Sequence, residues 1–306
     1  MIDIQDIQEN FRGHVTLNEA LSKHTSFRIG GPADYYLEPA DKDDAVRLAI
    51  YLHGQRIPFM VMGNGSNLLV SGGGVRGVVI NLEYGLKNVR MLGEIVIADA
   101  GVSLAKFVDF CIQQSRQGVE MLAGIPGTIG GAVVMNAGAY GGEISDHIVE
   151  VEVLHESRIN KVKKAEAGFA YRRSGLNTDI ILGASFALPL GNKAELMSRR
   201  RQLLIKRNES QPLNLPNSGS VFKNPPGTLA GKLIEEAGLK GTRRGKAQIS
   251  EQHGNFIVNT GGATAADVLE LIQLAQTTVQ EKFNIRLELE VKVVGFPVEI
   301  YKELFR

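Results

Sequence analysis

Apolar and polar positions recur along this chain at the spacings typical of helices and strands, and they predict most of its elements. Ser103 stands directly before an apolar face at helical spacing, so we expect it to cap that helix. In the first two thirds of the chain, the predicted elements are a helix over 43–55, strands over 57–62, 78–82 and 95–99, a helix beginning at Leu104, strands over 148–154 and 179–188, and a helix over 193–208. The last of these helices is charged and leads out of this part of the chain, so we predict a domain boundary near residue 198.

The C-terminal third shows the same two spacings. Thr264 and Asp267 form a capping-box pattern that opens a helix with its apolar residues on one face. Residues 286–293 alternate, with leucines and valines opposite glutamates and a lysine, and predict a half-buried strand. A helix over 229–237 and a strand over 255–259 are also predicted. Because strands and helices interleave irregularly, we predict an α+β fold rather than one doubly wound sheet.

The segment from Gly124 to Gly142 holds seven glycines and no charged side chain. A glycine inside regular structure costs roughly 0.5–1 kcal/mol relative to alanine, so something must compensate for seven of them. Three features can compensate for this cost: turns that need a positive φ, close packing of a helix on a sheet, and a ligand that lies against the main chain. We interpret the segment as the backbone against which a cofactor lies. The alternative is a loop that only turns the chain.

A second glycine-rich turn follows the predicted strand that ends at Met62. Its sequence, Gly-Asn-Gly-Ser-Asn over 63–67, offers main-chain N–H groups, one hydroxyl and two side-chain amides. Consecutive N–H groups can hold an anion without a lysine, so this turn suits a pyrophosphate. Taken alone, such a sequence is more often a plain turn. Only its pairing with the longer glycine-rich segment favours a nucleotide cofactor.

Composition and charge narrow the classes of function. The formal net charge of +1 gives no overall attraction to nucleic acid or to an acidic membrane surface. Cys111 is the only cysteine, which rules out an intramolecular disulfide and fits a reducing compartment. The first ten residues lack the basic start and apolar core of a secretion signal, and the longest apolar-rich stretch, 180–190, is too short to span a bilayer. We therefore predict a cytoplasmic protein without nucleic-acid, membrane or obligate protein partners.

Several common motifs fail when their context is checked. Gly72, Gly74 and Gly77 match the dinucleotide pattern G-x-G-x-x-G, but a strand is predicted after them where that fold needs a helix. The glycines before Lys232 have the wrong spacing for a P-loop. The six histidines and the single cysteine form no metal-binding spacing, so we predict no metal.

Seven segments occur in the order found in one enzyme family. They are HTSFRIGG at 24–31, GNGSNLL at 63–69, GIPGTIGGAVVMNAGAYGGE at 124–143, YRRS at 171–174, SGSVFKNP at 218–225, HGNFIVN at 253–259 and LELEV at 287–291. Through them the chain resembles, almost from end to end, the UDP-N-acetylenolpyruvoylglucosamine reductases of bacterial cell-wall synthesis. These enzymes are also called UDP-N-acetylmuramate dehydrogenases.

The resemblance implies an FAD-binding fold of the vanillyl-alcohol-oxidase type over residues 1–197, with two subdomains divided near residue 83. It also implies an α+β substrate-binding domain over 198–297 and a tail over 298–306 that packs on the first subdomain. FAD would be bound non-covalently and reduced by NADPH, and would pass hydride to UDP-N-acetylglucosamine enolpyruvate. The implied FAD-binding residues are Gly63, Asn64, Gly65, Ser66, Asn67, Gly124, Ile125, Pro126, Gly127, Thr128, Gly130, Asn136, Ala137 and Gly138.

The implied reaction needs particular residue types. Hydride arriving at the methylene carbon of an enol ether pushes negative charge into the attached carboxylate, and fixed donors aimed there stabilise the transition state. The resemblance gives that part to Arg172 and Glu290, and it gives protonation of the neighbouring carbon to Ser220. Glu290 would act best in its protonated form, which desolvation beside a substrate carboxylate favours. Without the resemblance, these three would be ordinary surface or turn residues.

Substrate contacts are implied for Tyr171, Arg207 and Asn224. Longer members of the family carry an inserted loop whose tyrosine closes over the substrate diphosphate, whereas residues 173–219 contain no tyrosine. The chain therefore resembles the shorter type. Arg207 and the arginine pair at 243–244 are the candidates for covering the diphosphate.

Two alternatives stay open. One is an FAD-dependent sugar or alcohol oxidase of the same fold, and the other is a non-enzymatic nucleotide-sugar binder. Such oxidases often tether the flavin through histidine or cysteine. Cys111 lies on an apolar helix face and the glycine-rich segment has no histidine, which disfavours covalent attachment. A colourless purified protein would favour the binder.

Overall fold

The computed structural model describes residue 9 and residues 11–304. These residues form two compact units, each built from several stretches of the chain. The first unit comprises the described residues up to Leu17, Tyr35–Asn64 and Gly77–Lys206. The second comprises Asn18–Asp34, Gly65–Arg76 and the described residues from Arg207 onward. Helices and strands occur in both units, which confirms the predicted α+β composition.

Helices and strands interleave along the chain. The helices are α1 (Lys42–Gly54), α2 (Leu104–Gln113), α3 (Ile129–Met135), α4 (Lys193–Ser210), α5 (Ala230–Glu236), α6 (Ala265–Phe283) and α7 (Val298–Leu304). The strands are β1 (His14–Ala20), β2 (Pro32–Glu38), β3 (Phe59–Met62), β4 (Leu68–Val70), β5 (Val75–Asn81), β6 (Val89–Leu92), β7 (Ile95–Asp99), β8 (Gly138–Ala139), β9 (Gly142–Glu143), β10 (Ile148–His155), β11 (Arg158–Lys163), β12 (Ile180–Ala187), β13 (Arg243–Arg244), β14 (Ala247–Ile249), β15 (Ile257–Asn259) and β16 (Lys292–Val294).

Two sheets form the framework of the first unit. One has the strand order β1-β2-β5-β3, and the other has the order β11-β10-β12-β7-β6. In the first sheet β3 and β5 run parallel, whereas the strands of the second sheet pair antiparallel. Strand β3 ends at Met62, so the sheet delivers the chain directly into the turn at 63–67.

Helix α2 shows how the sequence specifies this unit. Its predicted cap is confirmed, because Ser103 Oγ accepts a hydrogen bond from the N–H of Lys106 at 3.3 Å. Its apolar face is buried, and the ring of Phe107 lies 4.6 Å from that of Phe186 in β12. Burying a side chain of this size stabilises the fold by roughly 1.5–3 kcal/mol. The helix therefore anchors itself to the antiparallel sheet.

Cys111 lies on the buried face of α2. Burial, helped by the nearby charge of Glu120, raises the pKa of its thiol to about 12. The thiolate is the reactive form, and at about pH 8 only about one such thiol in 10⁴ is ionised. We expect iodoacetamide to leave Cys111 unmodified in the native protein and to modify it in denaturant, as measured by intact mass. Rapid modification of the native protein would contradict this assignment.

The second unit carries a sheet of order β13-β14-β15 and a parallel pair of β4 with β16. Helix α6 packs along the first of these sheets. The predicted capping box is confirmed: Thr264 Oγ1 accepts from Asp267 N at 3.1 Å, and Asp267 Oδ2 accepts from Thr264 N at 2.9 Å. The buried residues of α6, among them Leu271 and Ile272, join a core that also includes Phe27.

The predicted strand over 286–293 is wrong as a continuous element. Its alternation is present as burial, since Leu287, Leu289 and Val291 are buried. Ladder pairing is limited to an isolated bridge between Leu289 and Phe222 and to the short strand β16. At this point the N–H groups of Glu290 and Val291 both donate to one carbonyl oxygen, Val221 O, at 2.8 and 3.2 Å, which breaks the regular register of a ladder. An alternating pattern specifies the buried face, but a longer ladder also needs a partner strand in regular register.

The glycine-rich segment, in which no helix is predicted, contains helix α3. Thr128 caps this helix, and its buried residues Ile129, Ala132 and Val133 follow helical spacing. The surrounding glycines hide that spacing in the sequence. The predicted elements also lack helix α7 and strands β1, β2, β4, β6, β8, β9, β11, β13 and β14.

The compact units do not follow one boundary along the chain. The predicted boundary near residue 198 lies inside α4, and the chain changes unit between Lys206 and Arg207. Helix α7 places Leu304 in the core of the second unit. Of the predicted domains, residues 1–8, 10, 305 and 306 lie outside the described residues. The assignment of domains, including the split near residue 83 and the docking of the tail on the first subdomain, stays a prediction.

In the part of the chain that the structure describes, no helix is both long enough and apolar enough to cross a membrane.

Candidate active site

Strand β3 delivers Gly63 against the cap of α3, within the first unit. A Cβ atom at Gly63 would lie 2.3 Å from Oγ1 of Thr128, so only glycine allows this approach. The same hydroxyl caps α3 by accepting from the N–H of Gly131 at 3.4 Å. On the other side, Asn81 Nδ2 donates to the carbonyl oxygen of Gly63 at 3.3 Å. The structure therefore brings together two segments that were separately predicted to bind FAD.

We expect Gly63→Ala to lower both the melting temperature and the flavin content of the purified protein. The added methyl must displace the cap of α3, and overpacking of this kind costs about 1–3 kcal/mol. Gly54→Ala is the matched control, since Gly54 lies in α1 with nothing within 4 Å of an added Cβ. Thermal denaturation and the ratio of flavin to protein absorbance measure both effects. The same behaviour in the two variants would contradict the prediction.

The turn after β3 carries main-chain donors. Across residues 11–304, no hydrogen-bond acceptor is found for the N–H groups of Asn64, Gly65 and Asn67. Gly65 has a φ of +61°, and a Cβ there would lie 2.1 Å from the carbonyl oxygen of His24. The turn thus needs glycine for its own conformation and leaves N–H groups for an acceptor-rich anion. This donor set fits a pyrophosphate.

Most of the glycines between 124 and 142 are required by the fold itself. A Cβ at Gly130 would lie 3.1 Å from Cβ of Ala100. In the hairpin of β8 and β9, a Cβ at Gly138 would lie 2.3 Å from the carbonyl oxygen of Gly142. Gly131 is exposed, and the nearest atom to a Cβ there is the Thr128 hydroxyl at 3.7 Å. Close packing, one of the three explanations left open by the sequence, therefore accounts for several of these positions.

The first N–H groups of α3 are used within the first unit. Ile129 N donates to Val102 O at 2.9 Å, and Gly130 N donates to Ala100 O at 2.8 Å. These bonds join the start of α3 to the chain that follows β7. The segment therefore contributes a closely packed backbone more than a set of anion donors.

Asn136 ends α3 in the left-handed conformation, with a φ of +44°, and its side chain is buried. Nδ2 donates to Glu143 Oε2 at 2.6 Å and to Ala170 O at 3.1 Å, and Oδ1 accepts from Ser145 N at 3.3 Å. The amide is thus used by three partners within the first unit. Its predicted contact with FAD stays a prediction.

Arg172 sits at the tip of a tight turn. Ala170 and Arg173 exchange main-chain hydrogen bonds of 3.0 and 3.1 Å across it. Arg172 has a φ of +56°, which is uncommon for a residue with a side chain and occurs often at functional sites. Its Nη2 donates to Gly138 O at 2.9 Å, and its guanidinium carbon lies 4.8 Å from the ring centroid of Tyr171. The structure therefore brings Tyr171 and Arg172 together with the glycine-rich segment.

In the second unit, the residue directly after Ser220 is bound to the main chain of Glu290. The carbonyl oxygen of Val221, directly after Ser220, accepts from the N–H of Glu290 at 2.8 Å and from that of Val291 at 3.2 Å. Asn67 lies on the other side, where its Nδ2 donates to Glu290 O at 3.1 Å and its own carbonyl accepts from Lys292 N at 2.9 Å. Asn67 and the residue after Ser220 thus both bind the main chain of Glu290.

The predicted substrate residues Asn224 and Arg207 also lie in the second unit. Asn224 Oδ1 accepts from Ala230 N, the first residue of α5, at 3.0 Å. Arg207 is buried near the end of α4. The arginine pair at 243–244 lies exposed on strand β13, with Arg244 Nε 3.6 Å from Glu270 Oε2. Their contacts with substrate stay predictions.

Asn255 is a buried residue next to the predicted site residues that sequence reasoning missed. It is 4% exposed and binds both main-chain polar groups of Phe222. The only signal for it was its place in the segment HGNFIVN. His253, in the same segment, accepts from Asn255 N at 3.2 Å through Nδ1, and burial lowers the pKa of its imidazole. The lone pair of Nδ1 is therefore used by a main-chain N–H group.

Among the residues that the structure describes, no group of three or more His, Cys, Asp or Glu side chains could hold a metal ion.

Two sequence families match this chain. Residues 33–157 match the family described as "FAD binding domain", and residues 211–294 match "UDP-N-acetylenolpyruvoylglucosamine reductase, C-terminal domain". The first match includes much of the glycine-rich backbone, and the second includes Ser220 and Glu290. The chain is therefore a flavin-dependent oxidoreductase.

Full-length relatives make the assignment more specific. The UDP-N-acetylenolpyruvoylglucosamine reductase of Chloroherpeton thalassium is 47% identical, over 99% of this chain and 100% of its own length. That of Caldanaerobacter subterraneus subsp. tengcongensis is 48% identical, over 92% of this chain and 94% of its own. The crystal structure of UDP-N-acetylenolpyruvylglucosamine reductase from Thermus caldophilus has a TM-score of 0.80 at 39% identity, covering 93% of this chain and 99% of that one. The chain belongs to the UDP-N-acetylenolpyruvoylglucosamine reductase family.

These matches confirm the predicted family, the FAD-binding α+β fold, the FAD cofactor and the oxidoreductase class.

Proposed function

We propose that this enzyme reduces UDP-N-acetylglucosamine enolpyruvate to UDP-N-acetylmuramate in the cytoplasm, as a step of peptidoglycan precursor synthesis. NADPH is the hydride donor, and FAD is bound non-covalently. The observation that carries the proposal is the match, over nearly the whole length of both chains, to relatives named for this reaction. When bound, FAD supplies the hydride-carrying chemistry that links NADPH to the substrate.

The cofactor is held by main chain more than by side chains. The N–H groups of Asn64, Gly65 and Asn67 bind the pyrophosphate, in agreement with the donors that the turn at 63–67 presents. The segment from Gly124 to Gly138 lies along the flavin. A buried Cys111 with a raised thiol pKa supports non-covalent attachment, since it has little of the reactive thiolate.

Arg172 stabilises the negative charge that hydride addition pushes into the substrate carboxylate. Its guanidinium is already fixed by the bond to Gly138 O and by the ring of Tyr171, so little reorganisation accompanies the charge. Removing one donor of this kind usually costs about 10²–10³ in rate. Tyr171 contributes to substrate binding from the same turn.

Ser220 donates a proton to the carbon next to the methylene, and Glu290 assists as a neutral carboxyl group. A serine hydroxyl is a weak acid, so it needs a strongly basic partner at close range, which a carbanion-like centre provides. The hydrogen bond from Glu290 N to Val221 O fixes the main chain of Glu290 relative to the residue that follows Ser220. Asn224 and Arg207 bind the substrate, and Arg207 or the pair at 243–244 covers the diphosphate.

An anaerobic two-step experiment tests the proposal. We expect yellow protein whose absorbance is bleached by NADPH under nitrogen and restored by UDP-N-acetylglucosamine enolpyruvate, with UDP-N-acetylmuramate identified by mass spectrometry. UDP-N-acetylglucosamine, which lacks the enolpyruvyl group, is the matched control and leaves the flavin bleached. Bleaching by a sugar or an alcohol in place of NADPH, with no restoration by the enolpyruvyl substrate, would favour a sugar or alcohol oxidase. Colourless protein that binds the UDP-sugar would favour a non-enzymatic binder.

A further inference from the structure

We infer that Asn255 is a positioning residue for Ser220 and Glu290, and that it acts through the main chain of residues 221–223 without touching the substrate. The inference rests on the proposed function, because it assumes that Ser220 donates the proton.

A single buried residue binds the chain directly after Ser220 at three points. Asn255 Oδ1 accepts from Phe222 N at 2.9 Å, and its Nδ2 donates to Phe222 O at 2.8 Å. The main-chain carbonyl of Asn255 accepts from Val221 N at 2.9 Å. The side chain is thus matched to one peptide segment, with its donor and its acceptor both used.

The opposite side of that segment binds the chain around Glu290. Val221 O accepts from Glu290 N at 2.8 Å, and Lys223 N donates to Glu288 O at 2.8 Å. Residues 221–223 therefore lie between Asn255 and Glu290, with hydrogen bonds on both sides. A shift of this segment changes the position of Ser220 relative to Glu290. Misplacement by about 1 Å can cost about a hundredfold in rate.

Asn259 provides a matched comparison from the same motif. It is 5% exposed, close to the 4% of Asn255. Its Nδ2 donates to Phe27 O at 3.0 Å, and its Oδ1 accepts from Gly261 N at 2.9 Å and from Ala263 N at 3.0 Å. Each asparagine thus donates to the main-chain carbonyl of a phenylalanine, but only Asn255 binds the segment that follows Ser220.

The test compares the two half-reactions of holoenzyme carrying Asn255→Asp. At neutral pH the new carboxylate keeps an acceptor for Phe222 N but faces Phe222 O without a proton to donate. We expect re-oxidation by the enolpyruvyl substrate to slow at least about tenfold, with reduction of the flavin by NADPH close to the wild-type rate. Protonation restores the donor, and burial raises the pKa of a carboxyl group. The re-oxidation rate relative to wild type is therefore expected to recover as the pH falls.

Asn259→Asp controls for the loss of a buried hydrogen bond. We expect it to lower the melting temperature as Asn255→Asp does, without a selective loss of re-oxidation. Equal slowing of both half-reactions by Asn255→Asp, or the same ratio of rates in the two variants, would overturn the inference. If Asn255→Asp does not fold, Asn255→Ser is measured in its place by the same ratio.

Ser220→Ala separates this inference from the proposed function. If Ser220→Ala slows re-oxidation and Asn255→Asp behaves like Asn259→Asp, only the positioning role fails. If Ser220→Ala leaves re-oxidation unchanged, the proton-donor role of Ser220 fails and the positioning role fails with it.

Discussion

Replacing Ser220 by alanine is expected to leave reduction of the flavin by NADPH nearly intact and to slow re-oxidation by the enolpyruvyl substrate at least about a hundredfold, the usual scale for losing a general acid. Only the second half-reaction needs a proton delivered to the substrate. Stopped-flow absorbance under nitrogen measures the two steps separately, so the loss can be assigned to one of them.

Ser218→Ala is the matched control for this experiment. Ser218 is 3% exposed, and its hydroxyl has no hydrogen-bond partner in the described portion of the chain. Removing an unpaired buried hydroxyl costs little stability, so both half-reactions are expected to stay close to wild type. If Ser220→Ala slowed both steps equally, or changed neither, the proton-donor assignment would be wrong.

The position of Ser220 depends on the turn before it. Gly219 has a φ of +77°, a conformation that glycine adopts readily. Asn217 Oδ1 accepts from Gly219 N at 2.9 Å, and Asn217 Nδ2 donates to Leu215 O at 2.8 Å. The hydroxyl is therefore presented by a turn that is fixed on one side by Asn217 and followed on the other by the segment that Asn255 binds.

Elements whose determinants are local were predictable from the sequence. The cap of α2 by Ser103 and the capping box of α6 each involve residues three positions apart, so the signal lies within one turn of helix. The alternation over 286–293 likewise identified the buried leucines and valines. In each case the side chain and its partner, or its face, are specified by the same short stretch of sequence.

Features that depend on distant partners were not predictable in this way. Helix α3 contains Gly130, which packs on Ala100, so a glycine that hides the helical spacing in the sequence reflects a tertiary contact. The strand over 286–293 is interrupted where the N–H groups of Glu290 and Val291 both donate to Val221 O, which lies in a segment distant in the sequence. Composition and periodicity contain no information about such pairings.

The same distinction between local and distant determinants applies to the candidate site. Gly63 to Asn67 could be proposed from the residues themselves, because a glycine-rich turn after a strand offers N–H donors. Arg172, Ser220 and Glu290 could be proposed only from the order of motifs in a known family. The positive φ of Arg172 and its bond to Gly138 emerge only in the structure, where the turn at 170–173 meets the glycine-rich segment.

Arg172→Ala is expected to slow re-oxidation by the enolpyruvyl substrate about 10²–10³-fold, the range for losing one preorganised donor to developing negative charge. Reduction of the flavin by NADPH is expected to change much less, because the substrate carboxylate takes no part in it. The same stopped-flow experiment gives both rates. Arg172→Lys keeps the charge but loses the planar set of donors, so its re-oxidation rate is expected to lie between those of wild type and Arg172→Ala.

Arg173→Ala is the matched control, because Arg173 is the exposed neighbour of Arg172 in the same turn and its main chain makes the closing bonds to Ala170. Alanine preserves those main-chain bonds, so Arg173→Ala is expected to leave both half-reactions near wild type. Comparable losses in the two alanine variants would mean that the turn tolerates no truncation of either side chain. That result would contradict a specific role of Arg172. A large loss confined to Arg172, partly recovered by lysine, requires that positive charge at this position acts on the substrate.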